Sequence, residues 1–215
     1  MELVYIYRMN YDELSKEKSE LLELLPEWRK AKAEKIKNEP AKLQSIAAGR
    51  LLDITVSKFL GADNVNWDRC EEGRVNELYF NLSHCDKYVA ATISDKPIGI
   101  DVECKDDKNF SVSSRMFSEE DKAYIGNDQN RFRDVWTAKE AFLKCTREGI
   151  VVPLKSFTLD YKLEKACLVR PIEYDMKDRQ FYVITCRLSD EECSLSICSE
   201  NPNLTLDIHN VEVLR

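Results

Sequence analysis

No stretch of this 215-residue chain approaches the roughly 20 consecutive apolar residues that a bilayer-spanning helix needs. The first residues, MELVYIYRMNYDELSKEK, have no basic stretch ahead of an apolar core and no small-residue cleavage site. Export is therefore not indicated, and cytoplasmic residence is the expectation. The eight cysteines, at 70, 85, 104, 145, 167, 186, 193 and 198, contain no CxxC pair, which argues against a zinc ribbon or a disulfide framework. With apolar neighbours such as LSIC and VITC, they read as reduced core thiols. An excess of Lys and Arg is also missing. The net charge is −7, which disfavours a nucleic-acid binder because phosphate-tracking surfaces are basic. There is no internal repeat, no low-complexity linker and no GxSxG turn.

What is present is a globular composition, 43% hydrophobic and 33% charged, in a chain long enough to bury a core without staples. Charge is uneven. Between Pro26 and Arg50 seven basic residues face three acidic ones, so this stretch carries +4 and the rest of the chain −11. An anionic small molecule is a natural ligand for it. Arg29 and Lys32 are spaced i, i+3 on one helix face, although such runs are usually solvated surface.

Periodicity predicts a strand over ELVYIY, then helices over Tyr11 to Leu25, from Pro26 to before Glu39, and from Ala41 to Leu60 with Gly61 as the stop. LYFNL, KYVAATIS and PIGIDVE read as antiparallel strands, the last two compatible with a hairpin through Asp95-Lys96. Ser118 has the form of an N-cap, and a helix from about Arg131 to Thr146 ends at Gly149. SFTLDY, QFYVITCR, CSLSICS and LDIHNVEVL then form a C-terminal sheet packed on that helix. The sum is α+β in two lobes, 1–103 and 104–215.

In PIGIDVE, strand alternation puts Ile98, Ile100 and Val102 on one face and Gly99, Asp101 and Glu103 on the other. Two carboxylates on one face repel, and a hard cation such as Mg²⁺ offsets the repulsion by oxygen ligation. The plainer reading is an edge strand with a solvated polar face. Glu140 and Lys144, in WTAKEAFLK, are either a surface i, i+4 pair or a third carboxylate with a lysine that neutralises a phosphate. Ser83 and His84 are strand neighbours and so point to opposite faces, which excludes a nucleophile–base pair; His84–Cys85 lacks partners for zinc; His209 reads as structural.

FNLSHC, PIGIDVE and FRDVWTAKEAFLK, in this order and spacing over residues 80–144, together resemble the Sfp-type 4'-phosphopantetheinyl transferases. The resemblance implies a pseudo-dimer of two similar lobes with antiparallel sheets packed on helices. It implies transfer of the phosphopantetheine arm of coenzyme A to a serine of an acyl or peptidyl carrier protein, with release of 3',5'-ADP and Mg²⁺ as cofactor, in a monomer. By motif match, Asp101, Glu103 and Glu140 ligate the metal and Glu140 takes the serine proton. Lys144 holds a phosphate oxygen, Lys139 supports the same region, and Ser83 and His84 contact the coenzyme A phosphates. Trp136 anchors the helix. Arg29 and Lys32 are the expected 3'-phosphate ligands, and the Gly73-Arg74-Val75 turn stands where the family often has Gly-Lys-Pro near the adenine. Gln44 and Ser45 occupy the position of a family arginine, for which Lys42 is a substitute, and Asp121 replaces a common glutamate. Phe110 to Ile125, with Phe110 or Met116 as apolar contacts, is the expected carrier-docking segment. The competing readings are a catalytically silent coenzyme A or carrier-protein binding module and an unrelated Mg²⁺-dependent phosphohydrolase.

Overall fold

A computed structural model describes residues 2–71, 73–104, 114–161, 167–188 and 192–215. The first strand, β1 (Glu2–Arg8), leads into three helices, α1 (Tyr11–Glu23), α2 (Glu27–Glu34) and α3 (Glu39–Leu60). Asn10 caps α1 by accepting from the Glu13 N–H, and Asn38 caps α3 by accepting from the Ala41 N–H, with Pro40 in its first turn. Gly61, at φ 83°, ends α3 in a backbone conformation that side chains rarely adopt. Next come β2 (Arg74–Val75), β3 (Leu78–His84) and β4 (Tyr88–Ser94). Asn76 and Glu77, both with positive φ, form the two-residue turn between β2 and β3.

The following strand, β5 (Ile98–Cys104), precedes two helices, α4 (Glu119–Ile125) and α5 (Gln129–Thr146), and the strands β6 (Phe157–Leu159), β7 (Cys167–Pro171), β8 (Tyr182–Arg187), β9 (Cys193–Ser199) and β10 (Ile208–Val211). Ser118 and Asp121 form a reciprocal capping box on α4. Asp128 caps α5 through the N–H groups of Asn130 and Arg131. The end of α5 differs from expectation. Arg147 in the left-handed region, not Gly149, stops the helix.

The chain forms two compact units, residues 1–95 with 207–215, and residues 96–206. The first has a sheet in the order β10-β1-β4-β3-β2; β10 runs parallel to β1 and the other pairs are antiparallel. Its helices cover a core that includes Leu14, Leu21, Ile46, Leu51 and Val89. The second has a fully antiparallel sheet, β5-β9-β8-β7-β6, with a core of Val135, Phe142, Phe157, Phe181 and Val183. Each unit thus sets a five-stranded sheet against helices.

Four expectations are corrected. The expected hairpin of β4 with β5 does not form: β4 pairs with β3 and β1, whereas β5 pairs with β9. The boundary accordingly falls at 95/96, not 103/104. LDIHNVEVL does not join the C-terminal sheet, because its strand β10 pairs with β1, where His209 stacks on Tyr5 at 4.9 Å. Nor are all cysteines reduced. The β5–β9 register sets Cys104 opposite Cys193, and the two are joined as a disulfide, while Cys145 and Cys198 are buried free thiols as expected.

Candidate functional site

The second unit positions its chemistry by pressing α5 onto β5. Gly99 lies under the helix backbone, where an added Cβ would stand 2.0 Å from the Ala141 oxygen and 2.5 Å from the Cys145 nitrogen. Its glycine therefore serves helix–strand packing, not ligand approach as the sequence suggested. The same strand face carries Asp101 and Glu103 toward α5, so the polar face is covered, with Asp101 only 6% exposed.

From α5, Lys144 reaches Asp101, Nζ to Oδ1 2.7 Å. This replaces the surface pair with Glu140 that spacing alone allowed. Glu140, one turn earlier, is half-buried. Burial pushes its carboxyl above the ordinary value, the Asp101 charge adds to that, and Lys144 opposes both. A half-buried carboxyl kept basic beside a second carboxylate and an ammonium suits proton abstraction near a polyanionic ligand. The donors are all oxygens, which fits a hard cation. Among the described residues, no three carboxylates bring an oxygen each within 4.8 Å of one another. Asp101 and Glu140 are thus an electrostatically coupled pair, with Glu103 two residues along the strand.

Lys139 is corrected outright as a phosphate contact. Its Nζ is fully buried, 2.5 Å from Asp121 Oδ2, and donates to the carbonyls of Leu154 at 2.7 Å and Phe157 at 2.5 Å. Burial pushes this ammonium down from its ordinary value, and the Asp121 carboxylate opposes the shift. Burial alone would raise Asp121, but Lys139, Tyr161 and Thr158 outweigh it and hold the carboxyl low. Sequence reasoning missed this internal strut. Trp136 packs against Phe117 and Phe132, in keeping with an anchoring role.

In the first unit, Ser83 is buried and His84 exposed at the end of β3. Arg29 and Lys32 do not share a solvent face. Lys32 is exposed, but Arg29 is 5% exposed, lies over Gly49 of α3 and donates from Nη2 to the Ser45 carbonyl at 2.7 Å. Its Nε has no hydrogen-bond partner among the described residues, and burial lowers its pKa. Gly73, at φ 73°, makes the turn expected of it, and Arg74 pairs with the exposed Glu77 at 2.8 Å. Gln44 donates to the Tyr11 hydroxyl at 2.9 Å. Of the docking segment, Phe110 lies outside the described residues; Met116 is exposed and Phe117 belongs to the core.

A family model described as the 4'-phosphopantetheinyl transferase superfamily matches residues 97–198, which include both carboxylate-bearing elements. Similar proteins include the 4'-phosphopantetheinyl transferase gsp of Aneurinibacillus migulanus, 29% identical over 89 residues, covering 39% of this chain and 38% of that protein. A 4'-phosphopantetheinyl transferase of Bacillus subtilis is 26% identical over 132 residues, 59% of this chain and 57% of its own length. The 4'-phosphopantetheinyl transferase psf-1 of Bacillus pumilus is 27% identical over 134 residues, 60% and 56%. The chain thus spans less than two thirds of the length of each of these curated relatives. Over residues 97–198 the chain is thus similar to the 4'-phosphopantetheinyl transferase superfamily.

Proposed function

We propose that this protein transfers the 4'-phosphopantetheine arm of coenzyme A to a serine of an acyl or peptidyl carrier protein and releases 3',5'-ADP. The observation that carries the reading is the half-buried Glu140, raised in pKa beside Asp101 and Lys144 on the helix α5. The names of the similar proteins point the same way.

In this reaction the serine oxygen bonds to the phosphorus that bears pantetheine, and the pyrophosphate P–O bond to the nucleotide breaks. Glu140 accepts the serine proton; its raised pKa makes it a stronger base than an ordinary carboxylate. Lys144 holds a phosphate oxygen from beside Asp101, so that charge developing on the leaving phosphate meets a fixed cation. Asp101 and Glu140, with Glu103, are the residues that would hold Mg²⁺, which when bound supplies Lewis-acid polarisation of the phosphoryl oxygens. Ser83, His84 and Lys32 are assigned to the coenzyme A phosphates. Arg29 contributes its charge from below the surface. Carrier docking is assigned to the region of Met116 and α4. Among the described residues no helix is long and apolar enough to cross a membrane, and we place the protein in the cytoplasm as a monomer that binds neither membrane nor nucleic acid.

The test is the intact mass of an apo carrier protein after incubation with this protein, coenzyme A and Mg²⁺. Gain of one phosphopantetheine arm, lost with EDTA and in Glu140→Gln, is the expected result. Coenzyme A binding without any mass gain across a panel of carriers would point instead to a silent binding module.

A further inference from the structure

Among the described residues, one tryptophan or phenylalanine ring stands exposed: Trp28, 37% accessible, in the first turn of α2. An exposed indole on a basic helix is ordinarily mobile surface. This one is held. Its ring lies 6.4 Å from Trp67 and 6.4 Å from Phe80, centroid to centroid. Trp67 is itself fixed, because its indole N–H donates to Asp53 Oδ1 at 3.1 Å and Asp53 Oδ2 pairs with Arg50 at 2.5 Å. Arg50, buried, donates in turn to the Leu214 carbonyl at 3.0 Å. Trp28 therefore presents its surface from a rigid base, so that binding against it loses little side-chain entropy.

A cation lies against this ring cluster. The Arg29 guanidinium sits 5.5 Å from the Trp28 ring centroid, with Nε unpartnered. Phe80, the inner ring of the cluster, is itself held by its backbone N–H, which donates to the Gly73 carbonyl at 2.9 Å. Arg74, opposite Tyr79 in the register and 5.0 Å from its ring centroid, points to the other face of the β2–β3 hairpin from Phe80 and takes no part in the cluster. A rigid exposed aromatic surface beside a guanidinium, on a helix whose next turn carries the exposed Lys32, suits a ligand that has both a flat π-system and negative charge, which is the chemistry of a nucleotide.

We propose that Trp28 is the stacking platform for the adenine base of coenzyme A and sets its nucleotide specificity. The inference rests on the transferase reading for the identity of the nucleotide, and goes beyond it in naming the residue that reads the base.

Calorimetric titration of the full chain with adenosine 3',5'-bisphosphate and with coenzyme A tests this in wild type, Trp28→Leu and Trp28→Phe, with a thermal melt of each. Stacking on one base implies that Trp28→Leu weakens both ligands roughly 5- to 100-fold, while Trp28→Phe keeps an aromatic face and stays within about threefold. In turnover, Trp28→Leu should raise the KM for coenzyme A and leave kcat unchanged. Independently of folding of the leucine variant, a Trp67→Phe/Trp136→Phe protein leaves Trp28 as its only indole, whose fluorescence should be quenched by the bisphosphate. Wild-type affinity in folded Trp28→Leu, or an unchanged Trp28 signal at saturation, overturns the platform. If wild type binds neither ligand, the platform and the transferase reading fall together. If Trp28→Leu loses affinity but no carrier is modified by wild type, the platform stands and the transferase reading falls alone.

Discussion

Glu140 is where burial and charge contend most openly. Its carboxyl lies above the ordinary 4.5 because burial and Asp101 both disfavour the ionised form, while Lys144 favours it. In metal-free protein, Lys144→Met should therefore move the Glu140 titration further up, and Asp101→Asn should bring it down, as carboxyl NMR would read. An unchanged titration in both variants would mean that the three groups are not coupled. A raised folded-state pKa also has a sign for stability. The folded chain binds the proton more tightly, so this group's contribution is full below the ordinary value and is lost as pH rises toward the folded-state one. Glu140→Gln should thus raise the melting temperature at neutral pH while lowering turnover by about 10²- to 10⁴-fold, the usual contribution of a positioned base. Gain in one and loss in the other, measured on the same preparation, would separate a functional carboxylate from a structural one.

At the scale of the element, α5 is located from two sides. Beneath it, Gly99 admits the helix backbone onto β5; beside it, Lys139 ties it to α4 through Asp121 and to the Leu154 carbonyl before β6 and the Phe157 carbonyl at its start. Gly99→Ala would drive a methyl into backbone atoms that cannot rotate away, so α5 must lift. A loss of several kcal/mol is expected, of the order of overpacking at 1–3 kcal/mol or more, together with loss of transfer activity as Glu140 and Lys144 leave β5. Lys139→Met leaves Asp121 buried without its cation and should cost about 3–5 kcal/mol in urea denaturation. Lys139→Met/Asp121→Leu should lose less than the two single changes summed, since no lone charge remains. Because Asp121 is held low, its contribution is present above the ordinary carboxylate range and lost as pH falls below it. The Lys139→Met deficit should accordingly shrink in acid. The sequence made the site elements legible: the alternation in PIGIDVE and the periodicity of α5 place Asp101, Glu103, Glu140 and Lys144 where β5 and α5 carry them. It did not separate Lys139 from Lys144, because a lysine's partner is set by tertiary packing that residue spacing does not encode. Arg29 went astray for the same reason: the flat spot at Gly49 that receives it lies on another helix.

Local pattern identified the strands of the whole molecule well and their partners poorly. LDIHNVEVL reads correctly as a strand, but alternation carries no information on which edge it will join, and the structure pairs β10 with β1, some two hundred residues away in sequence. Likewise the short Asp95-Lys96 link looks like a hairpin turn, yet it is where the chain passes from one unit to the other. This topology makes a prediction about the last nine residues. They give β1 its second neighbour, bury Leu214 and supply the carbonyl that Arg50 uses, and Arg50 in turn holds Asp53 and Trp67. A chain ending at Leu206 should therefore weaken the first unit and spare the second. β1 would become an edge strand with unpaired backbone groups, Leu214 would no longer cover the helix core, and Arg50 would lose a buried acceptor, each a loss of about 1–3 kcal/mol. Limited proteolysis should then cut within 1–95 while a fragment containing 96–206 persists, and coenzyme A affinity should fall although Asp101, Glu140 and Lys144 are untouched. Equal protection of both units in the truncated chain would show instead that β10 is an accessory to the sheet and that the support of Trp67 does not depend on the returning strand.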